Sequence, residues 1–248
     1  MNVFDKMGIY WAEMADQNPT HRQVEFLKNT LKSQGPILDL ACGTGRHIIP
    51  LSEKYSVVGV DISPNLLKIA KNRLSRIQLV RADMRSLPFK PEAFAAAISM
   101  DTSFGYLHSL KGDMQSLKEL QGTIKPNGLL IVDVFNREHL LQKYSAKNNV
   151  SFRRTEYPSF FLLQQRTIDK NGAKLHDLWK VCDKTNGKTR IFRHVVRLFQ
   201  LKGLQDLLQK TGFVIKQVNG DYEGQQFSPD SNRLILVARK KINYFVEN

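Results

Sequence analysis

Two cysteines in 248 residues, Cys42 and Cys182, are too few and too far apart for a disulfide framework or a Cys-rich zinc site. Such scarcity fits a reducing, cytoplasmic compartment. No run of about 18 uncharged apolar residues occurs, so no membrane-spanning helix and no membrane partner are expected. The opening Met1-Asn-Val-Phe-Asp-Lys6 brings an acid early and lacks an apolar stretch of signal-peptide type, which argues against secretion. The histidines, His21, His47, His108, His139, His176 and His194, show no i, i+4 pairing and no accompanying carboxylates, so no metal is expected. Acids are in short supply: 23 Asp and Glu face 37 Lys and Arg, for a net charge of +14. Between Lys143 and Lys202 fourteen basic residues meet four acidic ones, so +10 of the +14 lies in that segment. A polyanion would bind there, although the charges alternate with apolar residues in the manner of a solvated face.

What is present is an alternation of strand and helix signals. The stretch from about Asp5 to Ser33 has helical apolar spacing through Val24, Phe26, Leu27 and Leu31 and ends at Gly35-Pro36. Ile37 to Leu40 reads as a strand running into a Gly-rich turn, Arg46 to Lys54 as a helix and Ser56 to Val60 as a second strand. A helix then starts at Ser63-Pro64 and passes through Leu67, Ile69 and Leu74. Ile77–Arg81 and Phe94–Met100 are further strands, Met114–Ile124 a helix, and Gly128–Phe135 a strand apolar enough to be buried on both faces. This pattern predicts an α/β fold with a doubly wound, mostly parallel sheet over residues 1–150.

From about Ser151 the grammar changes to strand-like runs, Phe160–Ile168, Lys174–Cys182 and Arg190–Gln200. They are separated by the hairpin-type turns Asp169-Lys-Asn-Gly172 and Asp183-Lys-Thr-Asn-Gly187. An inserted antiparallel β-meander over residues 151–200 is expected, placed to roof a site. Residues 201–248 then return to the main sheet through a helix, Leu201–Thr211, closed by Gly212, and strands at Phe213–Val218 and Arg233–Arg239.

The chemistry concentrates at three strand ends. Gly43 and Gly45 flank Thr44 where a strand turns into a helix, leaving free N–H groups and room for a ligand. Asp61 ends the next strand, where its carboxylate suits both hydroxyls of an adenosine ribose or caps the following helix; Ser63 is better placed for capping. Asp83, in Arg81-Ala-Asp-Met84, suits an adenine amino group.

Asp39-Leu-Ala-Cys-Gly-Thr-Gly45, Gly59-Val-Asp-Ile-Ser63 and Arg81-Ala-Asp-Met-Arg-Ser-Leu-Pro88 resemble, in order and spacing, successive motifs of class I S-adenosylmethionine (SAM)-dependent methyltransferases. The resemblance implies a seven-stranded Rossmann-like sheet, SAM as cofactor and S-adenosyl-L-homocysteine as product. It places Asp39, Ala41, Cys42, Gly43, Thr44 and Gly45 along the methionine part and Asp61 on the ribose. Ile62 and Leu66 would pack on the nucleoside, and Ala82, Asp83 and Met84 would flank the adenine. Ala41 stands where many members have glycine. Ser99-Met-Asp-Thr-Ser-Phe-Gly-Tyr-Leu107, which includes Met100 and Asp101, is similar to the segment after strand four in prokaryotic members that methylate small molecules. Gly220-Asp-Tyr222 through Arg233 is similar to their last inter-strand loop.

Methyl transfer from a sulfonium needs an acceptor held in line and water kept out. Where a proton must leave the acceptor, Tyr106 and His108 are the candidate catalytic residues. Tyr10 and Trp11 either lid the cofactor or pin the first helix to the core. Tyr222 and Arg193 are the candidate substrate contacts. Arg193 and Arg197 share one strand face, which is solvated or meets an acidic substrate or the second subunit of a homodimer. No Asp-Pro-Pro-Tyr or Asn-Pro-Pro-Tyr tetrapeptide follows strand four and neither cysteine follows a proline, which disfavours nucleobase methylation. The expected activity is methylation of N or O on a small-molecule acceptor. The alternatives are an RNA or protein acceptor on the basic insertion, nucleic acid being the less favoured partner, and a non-catalytic SAM-binding protein. A nicotinamide-dependent oxidoreductase ranks last, because Gly-x-Gly-x-x-Gly spacing is missing.

Overall fold

The computed structural model describes residues 3–32, 35–73, 77–107, 109–145 and 150–242. The N-terminal stretch is three helices, not one: α1 (Val3–Met7), α2 (Ile9–Asp16) and α3 (Thr20–Thr30). Gly8, at φ 49°, breaks the first pair, and Pro19 precedes the third. Both positions oppose continuous helical geometry.

Then come β1 (Ile37–Leu40), α4 (Ile48–Leu51), β2 (Val57–Asp61), α5 (Pro64–Arg73) and β3 (Gln78–Arg81). The helix expected over Arg46–Lys54 shrinks to the single turn of α4, and Leu74 falls outside the described residues. Next are β4 (Phe94–Ser99), α6 (Leu110–Thr123), β5 (Ile124–Phe135) and α7 (Arg137–Ser145). Ser109 caps α6 by accepting a hydrogen bond from Gly112 N at 3.1 Å. Every residue of β1 and β2 is buried, the signature of central parallel strands covered on both faces.

The insertion has four strands, one more than the sequence indicated: β6 (Val150–Glu156), β7 (Phe160–Ile168), β8 (Lys174–Asp183) and β9 (Thr189–Arg197). They pair antiparallel in chain order. After them α8 (Leu201–Lys210), β10 (Phe213–Asn219) and β11 (Arg233–Lys240) rejoin the main sheet. Its order is β10-β11-β5-β4-β1-β2-β3, parallel except for β11, which is antiparallel to both neighbours. The mixed seven-stranded sheet with an inserted antiparallel sheet is the architecture expected from the sequence.

Chain order reverses between β1 and β4, so a crevice opens beyond their carboxyl ends, where α/β sheets bind ligands. One face of the main sheet packs Leu38, Leu40 and Leu130 against α6 and α8, and the other packs Ile37, Ile98 and Ile131 against α3 and α4. The inner face of the second sheet buries Phe160, Leu162, Trp179 and Phe192 against Met7 and Tyr10 of the first two helices. The first two helices are thereby held between the second sheet and α5.

Candidate functional site

At the end of β1 the chain passes through Ala41 at φ 57°, Gly43 at 55° and Gly45 at 78°. Left-handed geometry costs an L-residue about 1–2 kcal/mol, and at Ala41 that strain is tolerated. The resulting loop turns its amides toward Asp61: Gly43 N donates to Oδ2 at 2.9 Å, and Ser63 N donates to Oδ1 at 2.8 Å. Burial pushes the Asp61 carboxyl above its ordinary range, and these backbone donors oppose the shift. Ser63 caps α5 through Leu66 N at 3.1 Å, so Asp61 is free of that duty.

Asp39 is 2% exposed, and its Oδ2 has no hydrogen-bond partner in the protein; Thr44 Oγ1, equally buried, has none either. Burial raises the Asp39 carboxyl to about 7, against the pull of Arg46. Both orphaned oxygens border a cavity of about 50 Å³ whose walls include Trp11, Gly43, Arg46, Met100 and Asp101. An unpaired buried polar group costs about 1–3 kcal/mol, and such groups at a cavity wall mark a place for a polar ligand. Small-ligand pockets measure about 300–1,000 Å³, so this cavity has room for only part of a nucleoside-sized ligand.

Beyond β4, Asp101 and Thr102 are left-handed in succession, at φ 53° and 63°. A chain of hydrogen bonds holds them there. Asp133 Oδ2 accepts from Asp101 N at 2.8 Å and from the Tyr222 hydroxyl at 2.8 Å. Arg233 reaches Asp133 Oδ1 at 2.7 Å and Thr102 Oγ1 at 2.8 Å. Arg46 spans Gln23 Oε1 at 2.6 Å and Asp101 Oδ2 at 3.0 Å, and Gln23 donates onward to Tyr222 at 2.9 Å. Sequence reasoning missed Gln23, Arg46, Asp133 and Arg233, because their partners lie on elements far away in the chain.

The third strand end is arranged differently from expectation. The Asp83 carboxylate is taken up by Arg85, through its backbone N at 2.9 Å and its guanidinium at 3.0 and 2.5 Å, and this holds the carboxyl below its ordinary range. Ala82 and Met84 are half-buried against the core, Ile62 is 45% exposed, and Leu66 and Met100 are buried. Cys42, also buried, packs beneath the loop.

Two expected placements are corrected. Tyr10 does not face the glycine loop: its hydroxyl donates to Asp183 Oδ2 at 2.5 Å and its ring packs on Phe160, because α2 docks on the second sheet. Trp11 is the aromatic residue at the loop, its Nε1 3.8 Å from where a Cβ on Gly43 would sit. Arg193 is exposed on the outer face of β9, since Phe192, His194 and Val196 take the buried face and alternation turns Arg193 away. Arg197 instead pairs with buried Asp113 at 2.9 Å.

Tyr106 lies under the second sheet, edge-on to Phe4 at 5.0 Å and 5.7 Å from the His194 ring. Burial pushes its phenol above the ordinary range, so at neutral pH it is a protonated donor. His108 falls outside the described residues.

Residues 37–128, spanning all three strand ends, match the family model described as "Methyltransferase domain". An uncharacterised protein of Methanocaldococcus jannaschii, MJ1252, is 30% identical over 85% of this chain and 78% of its own length. The Bacillus subtilis (strain 168) protein YqeM, provisionally named a methyltransferase, is 24% identical over 96% and 97%. Among solved structures, a SAM-dependent methyltransferase from Clostridium acetobutylicum aligns with a TM-score of 0.82 at 17% identity, over 97% of this chain and all of that one. SAM-bound CalS10 of Micromonospora echinaspora, an amino pentose methyltransferase, aligns at 0.70 and 16% identity, over 94% and 97%. Glycine loop, acidic strand ends, sheet order and these likenesses agree, and the chain belongs to the class I SAM-dependent methyltransferases.

Proposed function

We propose that the protein methylates N or O of a small-molecule acceptor enclosed between the two sheets. One observation carries this reading: the inner side of the second sheet meets the core through a packed cluster of Phe4, Trp11, Tyr106, Trp179 and His194, of which Trp11 reaches the glycine loop, while the basic residues Arg154, Lys180 and Arg193 are exposed on the opposite, outer face. A polyanion would meet the outside of the roof. The inner side suits a compact acceptor. The amino pentose activity of CalS10, a structural neighbour of similar architecture, supports the same size class.

SAM supplies a methyl carbon made electrophilic by its sulfonium. The residues fit it on the strength of the two orphaned oxygens: Asp39 and Thr44 would bind the polar methionine end, with Ala41, Cys42, Gly43 and Gly45 shaping the loop around it. Asp61 would bind the ribose, and Ile62, Leu66, Ala82, Asp83 and Met84 would border the adenine, once Asp83 exchanges Arg85 for the ligand. Met100 and Asp101 would close the side toward the acceptor, and Trp11 would exclude water. The division into core (1–150), roof (151–200) and returning core (201–248) is part of the same proposal.

Incubating the protein and SAM with a bacterial metabolite extract tests the reading by mass spectrometry. A small product heavier by one methylene, absent when SAM is omitted, is expected. Methylation confined to added RNA or protein contradicts it.

A further inference from the structure

Across β8 and β9, Asp177 and His194 stand directly opposite each other, and Arg166 of β7 stands opposite Asp177. The three form a row on the inner face of the roof. Asp177, with its side chain 2% exposed, accepts hydrogen bonds from Gln164 at 3.0 Å, Arg166 at 2.9 Å and Trp179 Nε1 at 2.6 Å, and lies 3.6 Å from His194 Nε2. The other ring nitrogen, His194 Nδ1, is buried without a hydrogen-bond partner in the protein, and the whole residue is only 8% exposed. A buried imidazole with one nitrogen beside a carboxylate and the other bare is an unbalanced arrangement for a purely structural histidine.

The surroundings define which nitrogen holds the proton. Asp177 favours N–H at Nε2, which leaves the buried Nδ1 with a bare lone pair in a ring whose centroid lies 5.4 Å from that of Phe4, 5.7 Å from that of Tyr106 and 4.6 Å from that of Trp179. The charged and titratable groups facing His194 are Asp177 and Arg166 within the sheet and Tyr106 from the segment after β4. Burial lowers the imidazole to about 4, with Arg166 acting in the same direction and Asp177 against it, so the ring is neutral at pH 7.

We infer that His194 is the proton acceptor for the methyl acceptor, with Asp177 as its positioning residue, and that the aromatic cluster between roof and core opens to a small ring-bearing amine or alcohol. This rests on the small-molecule reading above and deepens it. The acceptor's ring, aromatic or saturated, packs against this cluster, and its N–H or O–H points at Nδ1. The nucleophile's lone pair forms the new bond to carbon while the bond from that carbon to sulfur breaks and its electron pair stays on sulfur. The proton passes to the Nδ1 lone pair. The positive charge that entered on the sulfonium therefore leaves on the imidazolium, and Asp177 stabilises it.

Nitrogen NMR of 15N-histidine-labelled protein tests the inference without cofactor or acceptor. His194, assigned by its loss in His194→Gln, is expected as the neutral Nε2–H tautomer at pH 7, with Asp177→Asn mixing in the other form. A ring protonated at Nδ1, singly or doubly, overturns the proposal. In parallel, S-adenosylhomocysteine release is followed in the metabolite extract. His194→Gln is expected to lose about 10²- to 10⁴-fold in turnover, with SAM affinity by calorimetry unchanged within about twofold and without the acid limb of the wild-type pH profile. Full turnover in that variant overturns the proposal. A wild type that forms no product while His194 shows the expected tautomer contradicts the small-acceptor reading, and the spectrum still supports the dyad.

Discussion

At the scale of single residues, two groups at the end of β1 carry costs that function explains. Asp39 keeps its proton in the folded chain up to about pH 7, whereas the ordinary value is 3.8. Across that window the folded state binds more protons than the unfolded one, so this residue lowers stability as pH rises from about 4 to 7, and the full penalty is present above 7. Each unit of pKa difference corresponds to about 1.4 kcal/mol. Asp39→Asn is therefore expected to raise the melting temperature of the ligand-free protein at pH 8, by roughly 2–4 °C per kcal/mol recovered. The gain vanishes near pH 4, and SAM affinity falls. Calorimetric melts at the two pH values check the sign, and equal melting temperatures at pH 8 contradict it. Ala41 carries the other cost. Because it is left-handed at φ 57°, Ala41→Gly trades strain for chain entropy and is expected to be neutral or stabilising by up to about 1 kcal/mol. Ala41→Val is expected to be destabilising, and urea unfolding ranks the pair. The sequence identified Ala41 as a departure from glycine but not its cost, because a φ angle is invisible in a residue name.

At the scale of elements, the short α1 matters more than its length indicates. Its Asp5 accepts hydrogen bonds from the Ser63 hydroxyl at 2.6 Å and Asn65 N at 3.1 Å, which fastens α1 to the start of α5 beside Asp61. Replacing a side chain that satisfies helix N-terminal donors costs about 1–2 kcal/mol. Asp5→Ala is expected to raise hydrogen exchange in residues 3–16 while the central strands keep their protection; unchanged exchange there contradicts a latch. Packing of α4 on β2 is equally specific. A Cβ on Gly59 would lie 2.5 Å from Ile48 Cδ1, 2.8 Å from Cys42 Sγ and 2.9 Å from Leu79 Cδ2. Gly59→Ala should cost about 1–3 kcal/mol in urea unfolding. Strands were legible in the sequence because β-branched runs such as Val57-Val-Gly-Val60 sit between turn residues. β6 was not, since Val150-Ser-Phe-Arg-Arg-Thr-Glu156 is polar at five of its seven positions and owes its conformation to pairing with β7.

At the scale of the whole molecule, the second sheet does two things with its two faces. Its inner face closes on the first two helices and the aromatic cluster, and its outer face carries Arg154, Lys180 and Arg193 into solvent. Among the described residues no helix is long and apolar enough to cross a membrane. The excess positive charge was legible from counting, and the alternation of Phe192, His194, Val196 and Leu198 with Arg193, Val195, Arg197 and Phe199 gave the arginines a face of their own, which at Arg193 is solvated. What the alternation did not reveal was the partner of His194: Asp177 is 17 positions away and becomes its neighbour only through the β8–β9 register. The glycine loop and Asp61 were legible because their roles depend on strand ends, which local pattern reveals. The network of Arg46, Gln23, Asp133 and Arg233 depends on tertiary contacts, which it does not.

Supplying SAM with an isotopically labelled methyl group to the protein in a mixture of metabolite extract and total RNA, then separating products by size, tests the central claim most directly. The account predicts label in the low-mass fraction, lost in Asp61→Ala along with SAM affinity. Label retained on RNA or protein, or undiminished transfer by Asp61→Ala, would contradict it.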